Sequence, residues 1–165
     1  MTKQNPKDQL YIYSEVSEME TKHVFFKRGF GAAYTKTSPL SDAINEDAFL
    51  LQECASEEIV LAVADGVGGS KLGNKAAKLA LESIADEVKK LDKSSSLRSN
   101  IVDGFEKANS EILKLGIGAA TTLAVVEISG DRVRSYHVGD SFVMLVGQRG
   151  KQKYQTIDHT PVGYA

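Results

Sequence analysis

The chain has 165 residues, of which 42% are hydrophobic and 25% charged, and a formal net charge of −2. That length supports one domain able to bury roughly 70% of the surface its unfolded chain exposes, and the mixed composition excludes a disordered chain. The balance of charge leaves no basic field for nucleic acid or an anionic membrane, and no apolar run approaches the ~20 residues that span a bilayer. Cys54, the single cysteine, excludes an intrachain disulfide and gives secretion no support. The polar start, Met1 to Leu10 with Pro6, has no signal-peptide pattern, so the expected compartment is the cytoplasm.

Residues 1–22 are polar apart from Leu10-Tyr11-Ile12-Tyr13 and read as an N-terminal tail or edge segment. From His23 to Thr37 apolar and small residues dominate, consistent with one or two strands. Ser38-Pro39-Leu40-Ser41-Asp42 is a loop by composition. Residues 47–53 and 59–65 read as two strands joined at hairpin length.

The period then changes. Leu72, Ala76, Leu79, Ala80, Ile84, Val88 and Leu91 recur at three- and four-residue spacing, predicting an amphipathic helix of about five turns with Ser70 as a candidate cap. After a short linker, Ser94-Ser95-Ser96, a second helix is marked by Ile101, Phe105, Ala108, Ile112 and Leu115. Gly104 sits inside it at a cost near 1 kcal/mol relative to alanine, and Gly116 is a candidate stop.

The remainder is β-rich. Thr121 to Ile128 is a predicted strand, Ser129-Gly130-Asp131-Arg132 a tight turn, and Val133 to Val138 the returning strand. Phe142 to Val146 is a continuous apolar run, expected of a strand covered on both faces. Lys153 to Ile157 then closes a meander after a turn at Gln148-Arg149-Gly150-Lys151. Strands, two helices and consecutive antiparallel strands make an α+β pattern rather than an alternating one.

Chemistry concentrates in two acidic clusters. The apolar run Ile59 to Ala64 ends in Asp65-Gly66-Val67-Gly68-Gly69, and Asn45-Glu46-Asp47 adjoins Ala48-Phe49-Leu50-Leu51. Carboxylates gathered at strand ends repel one another, and a divalent cation is the usual agent that offsets the repulsion. Asp followed by Gly can offer both a carboxylate and an approachable main-chain carbonyl to one ion. A plain strand-to-helix turn uses the same residues. A nucleotide loop fits worse: Lys71 stands where the dinucleotide fingerprint needs its last Gly, and Asn74 follows Gly73, so a Gly-Lys-Ser/Thr loop is absent. Three scattered histidines and one cysteine do not make a zinc site.

Taken in order, Asn45-Glu46-Asp47, Ala64-Asp65-Gly66-Val67-Gly68-Gly69, Ala120-Thr121-Thr122, Val138-Gly139-Asp140-Ser141 and Asp158-His159-Thr160 resemble the metal-dependent protein phosphatases of the 2C type, from about Gly29 to Thr160. The resemblance implies a sandwich of two antiparallel β-sheets flanked by α-helices. It implies a two-metal hydrolase of phosphoserine and phosphothreonine in proteins, using Mn²⁺ or Mg²⁺, with water rather than a side chain as the nucleophile. Asp47 and Asp65 match the family's metal aspartates, the Gly66 carbonyl a further ligand, Glu46 an acidic neighbour acting through water, and Asp140 an Asp near an accessory metal. The expected partner is a phosphoprotein substrate.

The chain also departs from the family. Asp42 stands where an Arg commonly grips substrate phosphate, with Lys36 a nearby base that could substitute. Val67 follows the Asp-Gly where eukaryotic members have His, a bacterial trait. Phe142 and Ala120 replace a common Arg and Gly. The family's two later metal aspartates do not appear before Ala165, so residues 23–165 read as the N-terminal portion of a 2C-type domain, incomplete at its C-terminus. A catalytically inactive, phosphatase-like binding module is the alternative that follows from these gaps, and a nucleotide-binding domain is a third.

Overall fold

The computed structural model describes residues 9–13, 20–37, 44–54, 57–67, 72–92, 94–116 and 118–159. Asp42, the loop at 38–42, Gly68-Gly69-Ser70 and Thr160 therefore lie outside the described residues.

The central element is a five-stranded antiparallel sheet of β1 (Gln9–Tyr13), β4 (Asp47–Glu53), β5 (Ile59–Asp65), β6 (Leu123–Ser129) and β7 (Arg132–Val138), in the order β1-β4-β5-β6-β7. Between its strands in sequence lie the hairpin of β2 (Glu20–Phe26) and β3 (Gly29–Thr35) and two helices, α1 (Gly73–Val88) and α2 (Leu97–Leu115). A second hairpin, β8 (Met144–Val146) with β9 (Gln152–Gln155), follows a chain that leaves the main sheet after β7.

Alternation along the strands builds two cores. Ala48 and Leu50 of β4, Val60, Ala62 and Ala64 of β5, and Leu123 and Val125 of β6 face the helices, where they meet Ala77, Ala80, Leu81 and Ile84. Phe49, Leu51 and Ile59 face the other way and are covered by Val24 and Phe26 of the β2–β3 hairpin. The architecture is thus α+β, as the order of elements predicts, with antiparallel sheets layered face to face and helices outside, as the family resemblance implies.

Gly104, costly in an isolated helix, is explained by packing. A methyl group there would lie 2.8 Å from Ile84 Cδ1 and 3.0 Å from the Ile84 Cα. The glycine lets α2 approach the backbone of α1. Asn100 adds a polar tie by donating from Nδ2 to the Glu87 carbonyl at 2.7 Å, satisfying one of the last carbonyls of α1.

Three expectations need correction. The cap position of α1 is Leu72, with no side-chain cap bond, rather than Ser70. Ser96, read as the end of a linker, is the cap of α2, which starts at Leu97. Ser96 Oγ accepts from Ser99 N at 3.1 Å while Ser96 N donates to Ser99 Oγ at 3.1 Å. We expect Ser96→Ala to cost about 1 kcal/mol in urea unfolding and Ser96→Asp to retain most of it. The third correction concerns β8. Its apolar residues are exposed rather than covered on both faces, because β8 pairs with β9 in a separate two-stranded sheet and does not extend the β6–β7 meander.

Candidate functional site

Asp47 opens β4 and Asp65 closes β5, and the antiparallel register sets them directly opposite each other. Directly opposed residues project to the same face, here the face of Phe49 and Val63. The two aspartates line a cleft of about 250 Å³ together with Tyr34, Thr35 and Ser141. Opposed like charges in a sheet are destabilising by themselves. No salt bridge neutralises either carboxylate among the described residues. Burial first, then the charges of Asp65 and Glu46, push the Asp47 carboxyl above the usual aspartate range. Burial and then Asp140 do the same to Asp65.

Hydrogen bonds around the pair fix its main chain. Asn45, only 4% exposed, donates from Nδ2 to Thr35 Oγ1 at 2.7 Å and accepts from the Asp47 N–H at 3.0 Å. That short turn anchors the start of β4 to β3 and orients Asp47. The Gly66 N–H donates to the Glu46 carbonyl at 3.1 Å, joining the two acidic segments beyond the last strand pair.

Glu46 sits at the start of α1: a methyl group on Gly73 would be 2.6 Å from Glu46 Oε1. A helix N-terminus favours a carboxylate, and α1 has no acidic residue of its own in its first turn. Gly66 and Gly73 are in still closer contact, since a Cβ on Gly66 would fall 2.3 Å from the Gly73 carbonyl carbon and oxygen. Both glycines are therefore required by the approach of strand end to helix start.

Asp140 reaches the site from the turn after β7. Gly139, at φ 93°, turns the chain out of the main sheet. The Asp158-His159 segment braces that turn: the His159 N–H donates to the Gly139 carbonyl at 3.0 Å, and its ring packs tilted against His137 at 4.3 Å between centroids. Of the residues singled out in the sequence, Asp47 and Asp65 are brought together, and Glu46, Gly66 and Asp140 surround them. Thr35, Thr122 and Ser141 had no assigned part. Thr122 and Ser141 stood in two of the motifs that carry the family resemblance, whereas nothing in the sequence singled out Thr35.

The donors gathered here are all oxygens, the set that suits hard divalent cations. Two uncompensated carboxylates fit half of such a centre. Among the described residues no group of three or more acidic, histidine or cysteine side chains is assembled closely enough to complete one.

A larger cavity, about 690 Å³, lies at the opposite end of the sheet beneath the linker between the helices. Of the four acidic residues that line it, Glu127 is buried but already bound by Arg134 and by the Tyr136 hydroxyl. Burial and that carboxylate push the Tyr136 phenol up to about 12. The charge of Glu127 is satisfied internally, unlike that of Asp47 and Asp65.

Comparison with known proteins bears on the family and the fold. The sequence profile described as protein phosphatase 2C matches residues 40–160. The protein phosphatase PhpP of Streptococcus pneumoniae is 32% identical over 111 residues, covering 62% of this chain and 44% of that protein. The chain thus spans under half the length of the curated relatives it matches. The solved serine/threonine phosphatase of S. agalactiae superposes with a TM-score of 0.67 over 94% of this chain and 59% of its own, at 24% identity. PppA, described as a key regulatory component of T6SS in Pseudomonas aeruginosa, gives 0.51 over 96% of this chain and 59% of its own at 20% identity. These two likenesses speak for the fold. With a profile match from residue 40 to residue 160 that takes in both acidic clusters and the Asp140 turn, the chain belongs to the protein phosphatase 2C family.

Proposed function

We propose that the protein hydrolyses phosphoserine and phosphothreonine esters of other proteins, with Mn²⁺ or Mg²⁺ held at Asp47, Asp65 and the Gly66 carbonyl. The observation that carries this reading is the pair of uncompensated aspartates facing each other across β4 and β5 at the mouth of a cleft. A divalent ion, when bound, offsets their repulsion, polarises phosphoryl oxygens and lowers the pKa of water. In this reading Glu46 acts on the centre through water from the start of α1, and Asp140 serves an accessory ion.

The chain's own residues support a water nucleophile. Cys54, its one cysteine, is buried on the helix side of the sheet and is no candidate for covalent attack. Family membership and the serine/threonine phosphatases among similar proteins support a phosphoprotein substrate. In this reading residues 23–165 are the N-terminal portion of the phosphatase domain, and the protein acts in the cytoplasm. Composition supports that location, and no helix among the described residues is long and apolar enough to cross a membrane.

The test is hydrolysis of a phosphothreonine peptide by the chain completed to a whole phosphatase domain, with Mn²⁺ and with a chelator. Turnover that needs Mn²⁺ is expected. Turnover that persists in the chelator, or none with Mn²⁺ present, overturns the reading.

A further inference from the structure

We infer that Thr122 and Ser141 are positioning residues for Asp65, forming a hydroxyl link that ties the Asp65 main chain to the turn carrying Asp140. The inference rests on the proposed metal site and goes further, because it says what holds the site's central carboxylate in place.

The antiparallel register of β5 and β6 continues past Val63 and Ala124, so Thr122 falls opposite Asp65. The ordinary ladder is altered at this step. The Thr122 N–H donates to the Asp65 carbonyl at 2.8 Å, as in a strand. The Asp65 N–H, however, goes to the Thr122 side chain, Oγ1 at 3.0 Å. The Thr122 carbonyl instead accepts from Thr121 Oγ1, which is 2.9 Å both from it and from the Asp65 carbonyl. Both main-chain polar groups of Asp65 are therefore held by one dipeptide, and one of them depends on a hydroxyl.

That hydroxyl has a second partner, Ser141 Oγ at 2.6 Å. Thr122 Oγ1 thus accepts from the Asp65 N–H and shares a further hydrogen bond with the Ser141 hydroxyl, and Ser141 lines the cleft with Asp47 and Asp65. The other branch of Thr122 meets the same turn, since a Cβ on Gly139 would lie 2.7 Å from Thr122 Cγ2. One residue thus seats the Gly139–Ser141 turn with its methyl group and ties it to Asp65 with its hydroxyl. Asp140, between the two contacts, is held close enough to raise the Asp65 carboxyl.

A purely structural threonine would matter through its methyl group, a positioning one through its hydroxyl. Two substitutions separate these roles. Thr122→Val keeps the packing and removes the link; Thr122→Ser keeps the link and removes the methyl group. The readouts are Mn²⁺ affinity by calorimetry and, in chelator, exchange of the Asp65 amide proton by NMR. Thr122→Val is expected to weaken Mn²⁺ binding about tenfold, the usual scale for a partner behind a ligand, and to speed exchange at Asp65. Thr122→Ser is expected to stay within about twofold of the parent, and Ser141→Ala to weaken binding several-fold.

Equal affinity in Thr122→Val and the parent, or the reverse order of Val and Ser, overturns the link and leaves the metal site standing. A parent that binds no Mn²⁺ overturns both. Should Thr122→Val fail to fold, Ser141→Ala decides: unchanged Mn²⁺ affinity there overturns the link.

Discussion

Asp65→Asn is expected to make the metal-free protein more stable while lowering Mn²⁺ affinity by at least about a hundredfold. The two effects share one cause. In the folded chain Asp65 faces Asp47 across the sheet with Asp140 nearby, and no cation is paired with it among the described residues. Opposed like charges in a sheet cost roughly 0.2–1 kcal/mol. Removing one relieves that repulsion and also deletes a ligand carboxylate.

The pH dependence follows from the directions of shift. Asp47 and Asp65 both titrate above the ordinary aspartate value when folded. The folded state therefore holds more protons than the unfolded state through that window. The contribution of this pair to metal-free stability falls as pH rises from the unfolded aspartate value through the raised folded values, and is level above them. Urea midpoints measured in chelator across that window should show this fall for the parent and a shallower one for Asp65→Asn. With saturating Mn²⁺ the order of stability should invert, because the parent, binding more tightly, gains more binding free energy than the variant. A variant less stable than the parent in chelator at neutral pH would count against the repulsion, whatever its affinity.

Gly66→Ala is expected to destabilise the fold by about 3 kcal/mol or more. The added methyl group meets the Gly73 carbonyl carbon and oxygen at 2.3 Å and the Gly73 Cα at 2.8 Å. These are main-chain atoms and cannot rotate aside, so the end of β5 and the start of α1 must separate. That movement also pulls Glu46 from the helix terminus and breaks the Gly66 N–H bond to the Glu46 carbonyl. Gly29→Ala, with nothing within 4 Å of its new Cβ, serves as the control and should shift stability by no more than about 0.5 kcal/mol. Equal urea midpoints for the two variants would refute the close approach as the reason for glycine at 66.

Strands β4 and β5 coincide with the runs 47–53 and 59–65 because each is a short apolar segment bounded by turn residues. Helix α1 was legible in its three- and four-residue spacing. The start of α2 was not, because Ser94-Ser95-Ser96 has the composition of a linker while Ser96 and Ser99 cap each other. The exposure of β8 was hidden too. A continuous apolar run looks the same in a central strand and in a two-stranded hairpin, and only pairing distinguishes them.

At the site, the residue types were visible and their mutual placement was not. Sequence can place Asp47 and Asp65 at strand ends, but only register makes them opposite. Thr122 lies 57 residues from Asp65 and 19 from Ser141. Nothing local records such a link, since a hydroxyl residue near a strand start is ordinary for β structure. Gly104 was legible as a cost and became intelligible only against Ile84.

The register of β4 on β5 also divides this part of the chain into positions that can change length and positions that cannot. The connection from Cys54 to Glu58 lies outside the ladder, closed by its own bond from the Cys54 N–H to the Glu58 carbonyl at 2.8 Å. Residues added there lengthen the connection and leave the facing aspartates where they are. One residue inserted between Ala48 and Gln52, or between Val60 and Ala64, has a different outcome. With side chains alternating at every step, it would turn one aspartate towards the helices and leave the other in the cleft. Length variants of this hairpin should therefore be tolerated at its tip and eliminated along its strands.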